Sequence, residues 1–233
     1  MELSIIIPAY NEEKKIAKTL TQIIDYVDSH AVIQDWEIIV VDDGSYDQTR
    51  TIVQKYIQKD QRITITPSRL NQGKGFSVRE GALKAKYPTL LFSDADSSTP
   101  ITEFDKFIPR ATEFDIIIGS RALTESKVQK HQPYYREYMG KTFNKMVRAL
   151  TKLNIHDTQC GFKFFQHCET IFQAQTMRGF SFDVELLYLA QKAGKKILEI
   201  PVIWINDERS SVSPIKDSFK MLRDLLKIKK IHG

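Results

Sequence analysis

Apolar and polar positions in the first half of the chain alternate in a way typical of strands and helices that follow one another in turn. Apolar runs of strand length occur at 3–7, 37–41, 63–66, 89–93 and 115–120. Apolar residues at helical spacing occupy 12–27, 50–59 and 76–86. Parallel neighbouring strands need crossover connections, so this alternation predicts an α/β fold with a mostly parallel central sheet and helices on both faces.

The second half of the chain is less regular. Helical spacing of apolar residues predicts a helix over 137–153, and Asp183 is positioned to cap a helix over 184–193 that Gly194 ends. A last strand is expected over 197–205. Internal repeats and long linkers are not apparent, so the sequence gives no reason to cut the chain into separately folding domains.

Polar clusters follow or precede the predicted elements at four strand-to-helix junctions. They are Pro8-Ala9-Tyr10-Asn11-Glu12, Asp42-Asp43-Gly44-Ser45, Asn71-Gln72-Gly73-Lys74-Gly75 and Asp94-Ala95-Asp96. Ligands of parallel sheets bind outside the carboxyl ends of the strands. We therefore expect the four clusters to line one crevice.

The acid pair Asp94 and Asp96 suits a hard cation such as Mg²⁺ or Mn²⁺, which prefers few carboxylates together with water and substrate phosphates. The alternative is a solvated turn or a helix cap, since acids beside a Ser-Ser-Thr-Pro stretch are common in turns. The glycines around Lys74 would let a phosphate approach the backbone, although the full phosphate-loop pattern is missing. The neighbouring polar clusters favour a site over a turn.

Charge is concentrated in two segments. The 233 residues carry a net charge of +5, and basic side chains are in excess at 120–152 and 216–233, while the rest of the chain is acidic. This distribution indicates an anionic partner. Nucleic acid is not expected, because the basic segments lack interleaved aromatic residues or a known motif.

The segment 211–233 is predicted to be a basic amphipathic helix. It either docks on an anionic membrane surface or packs on the core with a solvated basic face. Its apolar face would be formed by Ile215, Phe219, Leu222, Leu225 and Leu226.

Location and redox state follow from what the sequence lacks. No apolar run is long enough to span a membrane and no signal peptide is apparent, so a cytoplasmic protein is expected. The two cysteines, Cys160 and Cys168, are then expected to be reduced and buried. Their spacing to His156 and His167 matches no common zinc pattern.

Taken in order and spacing, the four clusters resemble the inverting family-2 glycosyltransferases with the GT-A fold. Further motifs resemble the dolichyl-phosphate glucosyltransferase branch, close to the polyprenyl-phosphate mannose synthases. These motifs are Gly119-Ser120-Arg121, Arg136, Asp157-Thr158-Gln159-Cys160-Gly161-Phe162-Lys163 and Phe182-Asp183-Val184-Glu185-Leu186-Leu187. The resemblance covers nearly the whole chain.

This resemblance implies a GT-A domain over 1–210, with a nucleotide-sugar half at 1–119 and an acceptor half at 120–210, followed by the helix at 211–233. It implies transfer of a hexose, with UDP-glucose favoured as the donor, to a polyprenyl phosphate at the cytoplasmic face of a membrane. The donor pocket would comprise Pro8, Tyr10, Glu12, Asp42, Asp43, Lys74, Asp94 and Ala95.

The catalytic assignments also come from the resemblance. Asp94 and Asp96 would hold Mg²⁺ or Mn²⁺, and Ser98 stands where the mannose synthases have a metal-contacting Gln. Arg121 and Arg136 would clamp the acceptor phosphate, with Lys163 as a weaker candidate. Asp157 and Asp183 are candidates for orienting the acceptor or acting as a base.

Two other functions remain open from the sequence. A related enzyme could transfer sugar to a saccharide hydroxyl in capsule or cell-wall assembly, which would require a general base. A protein that binds nucleotide sugars without catalysis is the second alternative.

Overall fold

The computed structural model describes residues 1–129, 134–205 and 214–233; the side chains of 134–139, 141 and 214–219 are not described. The strands are β1 (Glu2–Ala9), β2 (Asp35–Asp42), β3 (Ile63–Pro67), β4 (Thr89–Ser93), β5 (Ile116–Ser120), β6 (Lys127–Gln129), β7 (Phe162–Gln166), β8 (Ile197–Pro201) and β9 (Ile203–Ile205). The α-helices are α1 (Ile16–Ser29), α2 (Thr49–Ile57), α3 (Lys74–Lys84), α4 (Tyr134–Thr151), α5 (Glu169–Ala174), α6 (Phe182–Lys192) and α7 (Pro214–His232). Two short 3-10 helices occupy Ile101–Lys106 and Ile108–Arg110.

The central sheet has seven strands in the order β3-β2-β1-β4-β7-β5-β8. All neighbouring pairs are parallel except those made by β7, which runs antiparallel to both β4 and β5. In the register, Ser93 at the end of β4 lies opposite Phe162 at the start of β7. The beginning of β7 therefore lies at the same edge of the sheet as the carboxyl ends of its neighbours.

Alternating side chains on each strand form two apolar layers. Ile5 of β1 and Leu91 of β4 pack on the face covered by α1 and α2. Ile6 and Phe92, their sequence neighbours, pack on the opposite face with α3, α4, α6 and α7. Helices on both faces confirm the predicted α/β architecture.

Several predicted elements differ in detail from the structure. The helix predicted from residue 12 begins at Ile16, and Ser181 rather than Asp183 precedes α6 as its cap residue. Gly194 follows α6 with a φ of +70°, a left-handed conformation that glycine adopts without strain and that ends the helix as predicted. The strand predicted over 197–205 is divided into β8, in the main sheet, and β9, which pairs with β6.

The C-terminal helix α7 packs on the core. Met221, Leu225 and Ile228 are buried in the second apolar layer, whereas Leu226 is 56% exposed. Ile215 and Phe219, which were predicted to share its apolar face, lie outside the described side chains.

Neither a membrane span nor a disulfide occurs in the described part of the chain. None of the described helices combines the length and the apolar character needed to cross a bilayer. Cys160 and Cys168 are free, buried thiols, as predicted, and burial raises their pKa values to about 11 and about 12.

Candidate active site

The candidate site lies where β1, β2, β4 and β5 end and β7 begins. Asp94 follows β4 directly, Arg121 follows β5, and the backbone N–H of Asp94 donates to the carbonyl of Gly161 at 3.1 Å. The antiparallel direction of β7 brings residues 157–161 to this edge. The fold thus unites motifs from both halves of the sequence.

Asp94 is held between a lysine and a glycine. Lys74 Nζ lies 2.6 Å from Asp94 Oδ1 and 5.2 Å from the centroid of the Phe92 ring. A Cβ atom built on Gly161 would be only 1.9 Å from Asp94 Oδ2. Burial lowers the pKa of Lys74, but Asp94 and Asp183 outweigh this effect, so that its pKa lies above the ordinary value.

Asp96 faces a different environment. Its Oδ1 accepts a hydrogen bond from the backbone N–H of Ser98 at 2.9 Å. Burial and the neighbouring Asp94 charge raise the pKa of Asp96. Beside Asp96 is a cavity of about 300 Å³, which Lys14 and Lys18 also line.

Ala95, between the two acids, contributes to the core rather than to the crevice. Its side chain is 3% exposed, and its carbonyl accepts a hydrogen bond from Thr19 Oγ1 at 2.7 Å. Ser97 Oγ also donates to Thr19 Oγ1 at 2.9 Å. These bonds fix the loop carrying Asp96 against α1.

Arg121 and Asp157 form a two-pronged ion pair. Arg121 Nε and Nη2 donate to Asp157 Oδ2 and Oδ1 at 2.7 and 2.8 Å. Burial alone would raise the pKa of Asp157, but the Arg121 guanidinium holds it below the usual range. The guanidinium also lies 5.2 Å from the Trp204 ring centroid, and Glu199 accepts the backbone N–H of Asp157 at 2.9 Å.

Lys163 and Asp183 form a second, fully buried ion pair. Lys163 has no exposed surface, and its Nζ lies 2.5 Å from Asp183 Oδ1 while also donating to the Cys160 carbonyl. Burial raises the pKa of Asp183, and the charges of Lys163 and Lys74 offset part of that rise. The structure therefore gives Lys163 a partner inside the core and leaves it no surface for an acceptor phosphate.

The adjacent acids after β2 have different partners. Asp42 is fully buried and pairs with Arg50. The carboxylate of Asp43 accepts the backbone N–H groups of Gln72 and Gly73 at 2.7 and 2.8 Å. Asp43 thus orients the loop that leads into α3.

Residues after β1 form the rim of the crevice. Pro8 is buried within β1, while Tyr10 is 41% exposed, with its ring 6.2 Å from that of Tyr46 in an edge-on arrangement. Glu12 donates its backbone N–H to Thr49 Oγ1 at 2.8 Å. The turn before α1 is therefore tied to the start of α2.

The glycines around Lys74 serve chain packing. A Cβ on Gly73 would lie 2.5 Å from the Arg178 carbonyl, and one on Gly75 would lie 2.5 Å from both the Met177 carbonyl and Phe182 Cβ. The sequence had suggested that these glycines make room for a phosphate. In the structure they make room for residues 177–182.

Most of the predicted site residues meet at this edge, but not all can be located. The side chain of Arg136, in α4, lies outside the described residues. Sequence reasoning missed Gly161 as a support for Asp94, Tyr46 as the partner of Tyr10, and Glu199 as the support of Asp157. Only Glu199 gave a signal, as an acid within the apolar stretch Ile197-Leu198-Glu199-Ile200.

The oxygen atoms of Asp94, Asp96 and Ser98 suit a hard divalent cation. The ammonium of Lys74 already stands beside Asp94 as a cation, which shows that this carboxylate accommodates positive charge. No cluster of three or more His, Cys, Asp or Glu residues with metal-binding geometry occurs among the described residues. Substrate oxygens and water would therefore have to complete the coordination of Mg²⁺ or Mn²⁺.

The sequence is similar to dolichyl-phosphate beta-glucosyltransferases of several organisms. It is 35% identical to a dolichyl-phosphate beta-glucosyltransferase of Trichomonas vaginalis over 97% of this chain and 72% of that protein. It is 33% identical to the dolichyl-phosphate beta-glucosyltransferase of Mus musculus over 98% of this chain and 75% of that protein.

Solved structures share the GT-A fold. Glucosyl-3-phosphoglycerate synthase from Mycobacterium tuberculosis, in complex with Mn²⁺, UDP and phosphoglyceric acid, aligns with a TM-score of 0.71 at 15% identity, over 97% of this chain and 76% of that one. S. aureus TarS with UDP-GlcNAc aligns with a TM-score of 0.63 at 19% identity; the match covers 98% of this chain and 66% of that one, slightly under two thirds.

Residues 4–169 match the model of the family described as "Glycosyl transferase family 2". The matched segment includes Asp94, Asp96, Lys74, Arg121 and Asp157. The chain therefore belongs to glycosyl transferase family 2 and is a glycosyltransferase with the GT-A fold.

Proposed function

We propose that the enzyme transfers glucose from UDP-glucose to a polyprenyl phosphate, with inversion at the anomeric carbon. The similarity to dolichyl-phosphate beta-glucosyltransferases supports both the sugar and the class of acceptor. The complexes of structural neighbours with UDP and UDP-GlcNAc support a uridine donor.

Each of the two candidate bases, Asp157 and Asp183, is already paired with a basic side chain, and this observation favours a phosphate acceptor. Asp157 is engaged by both prongs of Arg121, and Asp183 is bound to the buried Lys163. A sugar hydroxyl would need one of these acids as a free base. A phosphate monoester, with a second pKa of about 6, is already largely dianionic near neutral pH and needs no base.

The donor would bind along the carboxyl edge of β1, β2 and β4. Tyr10 offers an aromatic ring at the rim for the base, Asp43 orients the loop before α3, and Lys74 supplies a positive charge for the diphosphate. Asp94 and Asp96 would hold Mg²⁺ or Mn²⁺, which when bound stabilises the negative charge of the leaving diphosphate.

The acceptor phosphate would bind near Arg121, whose fork Asp157 keeps in a fixed orientation. By the family resemblance, Arg136 would be the second arginine of this clamp. A phosphate oxygen then forms a bond to the anomeric carbon as the bond from that carbon to the UDP oxygen breaks. The bonding pair leaves with UDP, and positioning supplies much of the rate enhancement.

The acceptor's lipid tail requires contact with a membrane, and we assign this contact to the outer face of α7 at the cytoplasmic side. Arg223, Leu226 and Lys230 are exposed and spaced to share one side of the helix. Basic residues around an exposed leucine suit an anionic lipid surface. The protein would therefore be a peripheral membrane enzyme.

The assignment is tested by incubating purified enzyme and Mg²⁺ or Mn²⁺ with a short polyprenyl phosphate and each of several nucleotide sugars. We expect mass spectrometry to detect the glucosyl lipid with UDP-glucose, and no product with EDTA. Asp96→Asn, which keeps the shape of the side chain but removes its charge, should lower turnover by at least about a hundredfold.

The alternatives predict different products. A capsule or cell-wall transferase would glycosylate a saccharide and leave the polyprenyl phosphate unchanged, which would refute the proposal. A protein that only binds nucleotide sugars would bind UDP-glucose but form no product with any acceptor. Product formed from another nucleotide sugar, but not from UDP-glucose, would contradict the donor assignment.

A further inference from the structure

Lys74 and Asp94 form an ion pair at the point where a divalent cation would bind. Lys74 Nζ is 2.6 Å from Asp94 Oδ1, while Gly161 lies against the other oxygen of the same carboxylate. Asp96, two residues away, is bonded to Ser98 and borders the cavity. An incoming cation would therefore find Asp94 already paired with an ammonium group.

Two positive charges cannot share Asp94 without strong repulsion, because the site is partly buried and poorly screened by water. Either the cation is excluded or the lysine must move away. Asp94 itself cannot turn towards the Gly161 side, since the backbone there leaves no room. The side chain of Lys74 is the flexible partner, because a stem of four methylene groups separates its charge from the backbone.

A second lysine near the same aromatic ring does not have this freedom. Lys163 Nζ lies 5.7 Å from the Phe92 centroid but is fully buried between Asp183 and the Cys160 carbonyl. Lys74 is 25% exposed and is the first residue of α3. The amino end of a helix attracts anions, so a diphosphate bound there would offer Lys74 a new partner.

We propose that Lys74 is an exchangeable counter-ion, which neutralises Asp94 in the free enzyme and transfers to the donor diphosphate when the divalent cation takes its place. This inference rests on the proposed use of a nucleotide-sugar donor and a divalent cation. It makes the two ligands cooperative. Each ligand removes an obstacle to the other, and such coupling must be reciprocal.

The test is a titration of Mn²⁺ binding, followed by electron paramagnetic resonance of the free ion, with and without UDP. Lys74→Met should bind Mn²⁺ about tenfold more tightly than the wild type without UDP, because a cation near the carboxylate has been removed. UDP should then increase Mn²⁺ affinity about tenfold less than in the wild type, because the contact between the lysine and the diphosphate is missing.

Two further variants serve as controls. Lys84→Met removes an exposed lysine from the same helix and should leave both Mn²⁺ titrations unchanged. Lys74→Arg keeps a positive charge and should keep Mn²⁺ binding weak without UDP. Circular dichroism and thermal unfolding would verify that each variant is folded.

The exchange is refuted if Lys74→Met binds Mn²⁺ no more tightly than the wild type, or if UDP strengthens Mn²⁺ binding equally in both proteins. Failure of the exchange is separable from failure of the proposed function. If the wild type forms the glucosyl lipid but Mn²⁺ binds equally to the wild type and Lys74→Met, the proposed function stands and the exchange fails. If no glycolipid forms, the proposed function fails. The Mn²⁺ titrations of the wild type and Lys74→Met then still decide whether Lys74 competes with the cation for Asp94.

Discussion

At the residue scale, the position of Asp94 depends on the absence of a side chain at position 161. Asp94 occupies the space that any Cβ at this position would fill. The φ angle of Gly161 is outside the left-handed region, so its backbone alone does not demand glycine. The requirement comes from the carboxylate, which can reach its position only because the neighbouring strand begins without a side chain.

Gly161→Ala should therefore displace Asp94 while leaving the backbone conformation allowed. We expect kcat/KM for glucosyl transfer to fall about a hundredfold, as for a misplacement of about 1 Å, together with weaker Mn²⁺ binding. The matched control is Gly140→Ala in α4, where a Cβ would meet nothing within 4 Å. That variant should retain activity and gain about 0.5–1 kcal/mol in stability. Normal activity in Gly161→Ala would contradict the role assigned to this glycine.

Single residues differ in how far the sequence predicts them. The positions of Asp94 and Asp96 follow from a strand pattern, because the end of a parallel strand is where such acids meet a ligand. The partners of Asp183 and Asp157 do not follow from any local pattern, since Lys163 is 20 residues from Asp183 and Arg121 is 36 from Asp157. A lysine within the apolar run Phe162-Lys163-Phe164-Phe165 was the available sign of a buried charge.

At the element scale, the C-terminal helix α7 is part of the core. Its buried side consists of Met221, Leu225 and Ile228, which pack with α4 and α6. Ser181 Oγ also donates to Asp224 Oδ2 at 3.1 Å, and His232 Nε2 lies 2.8 Å from the buried Glu185. These contacts attach the helix over most of its length.

Two adjacent leucines of α7 provide a matched test of this packing. Leu225→Ala should lower the free energy of unfolding by about 2–5 kcal/mol, because a fully buried side chain leaves a cavity. Leu226→Ala, at an exposed position, should change it by no more than about 0.5 kcal/mol. Urea denaturation measures both. Equal effects would show that the helix does not pack as described.

Among the elements, the regular alternation of strands and helices was predictable from the sequence. The insertion of β7 between β4 and β5 was not. The helices and parallel strands of the first half follow from their apolar periods, with boundary shifts of a few residues. β7 was missed, because its five residues, Phe-Lys-Phe-Phe-Gln, do not alternate strictly between apolar and polar. Its antiparallel position between β4 and β5 depends on long-range pairing, which no local pattern reports.

At the scale of the whole molecule, the two layers of helices cover opposite faces of the central sheet. The layer containing α1 and α2 covers one face of the sheet, and α7 lies in the layer on the other face. Arg223 and Lys230 are exposed on α7, while Lys55 and Lys59 are exposed on or beside α2. Charge-reversing substitutions on α7 or near α2 would therefore change the net charge equally but at different places on the surface.

Binding to vesicles distinguishes attraction by the net charge of the protein from attraction by the basic residues of α7. The wild type should bind vesicles of phosphatidylcholine with phosphatidylserine, and binding should weaken as salt is increased from about 0.05 to 0.5 M, because salt screens surface charges. Reversal of charge in Arg223→Glu with Lys230→Glu should reduce this binding more than Lys55→Glu with Lys59→Glu, which changes the net charge equally. Equal losses in a sedimentation assay would show attraction by net charge alone and would refute a docking face on α7.

The antiparallel strand β7 also has a mechanical consequence. It is hydrogen-bonded along one side to β4, which leads to Asp94 and Asp96, and along the other side to β5, which leads to Arg121. A hinge between the regions before and after residue 119 would have to break this continuous ladder of backbone bonds. The sheet itself thus opposes such a hinge, and the exchange of partners proposed for Lys74 would need only a side-chain movement above it.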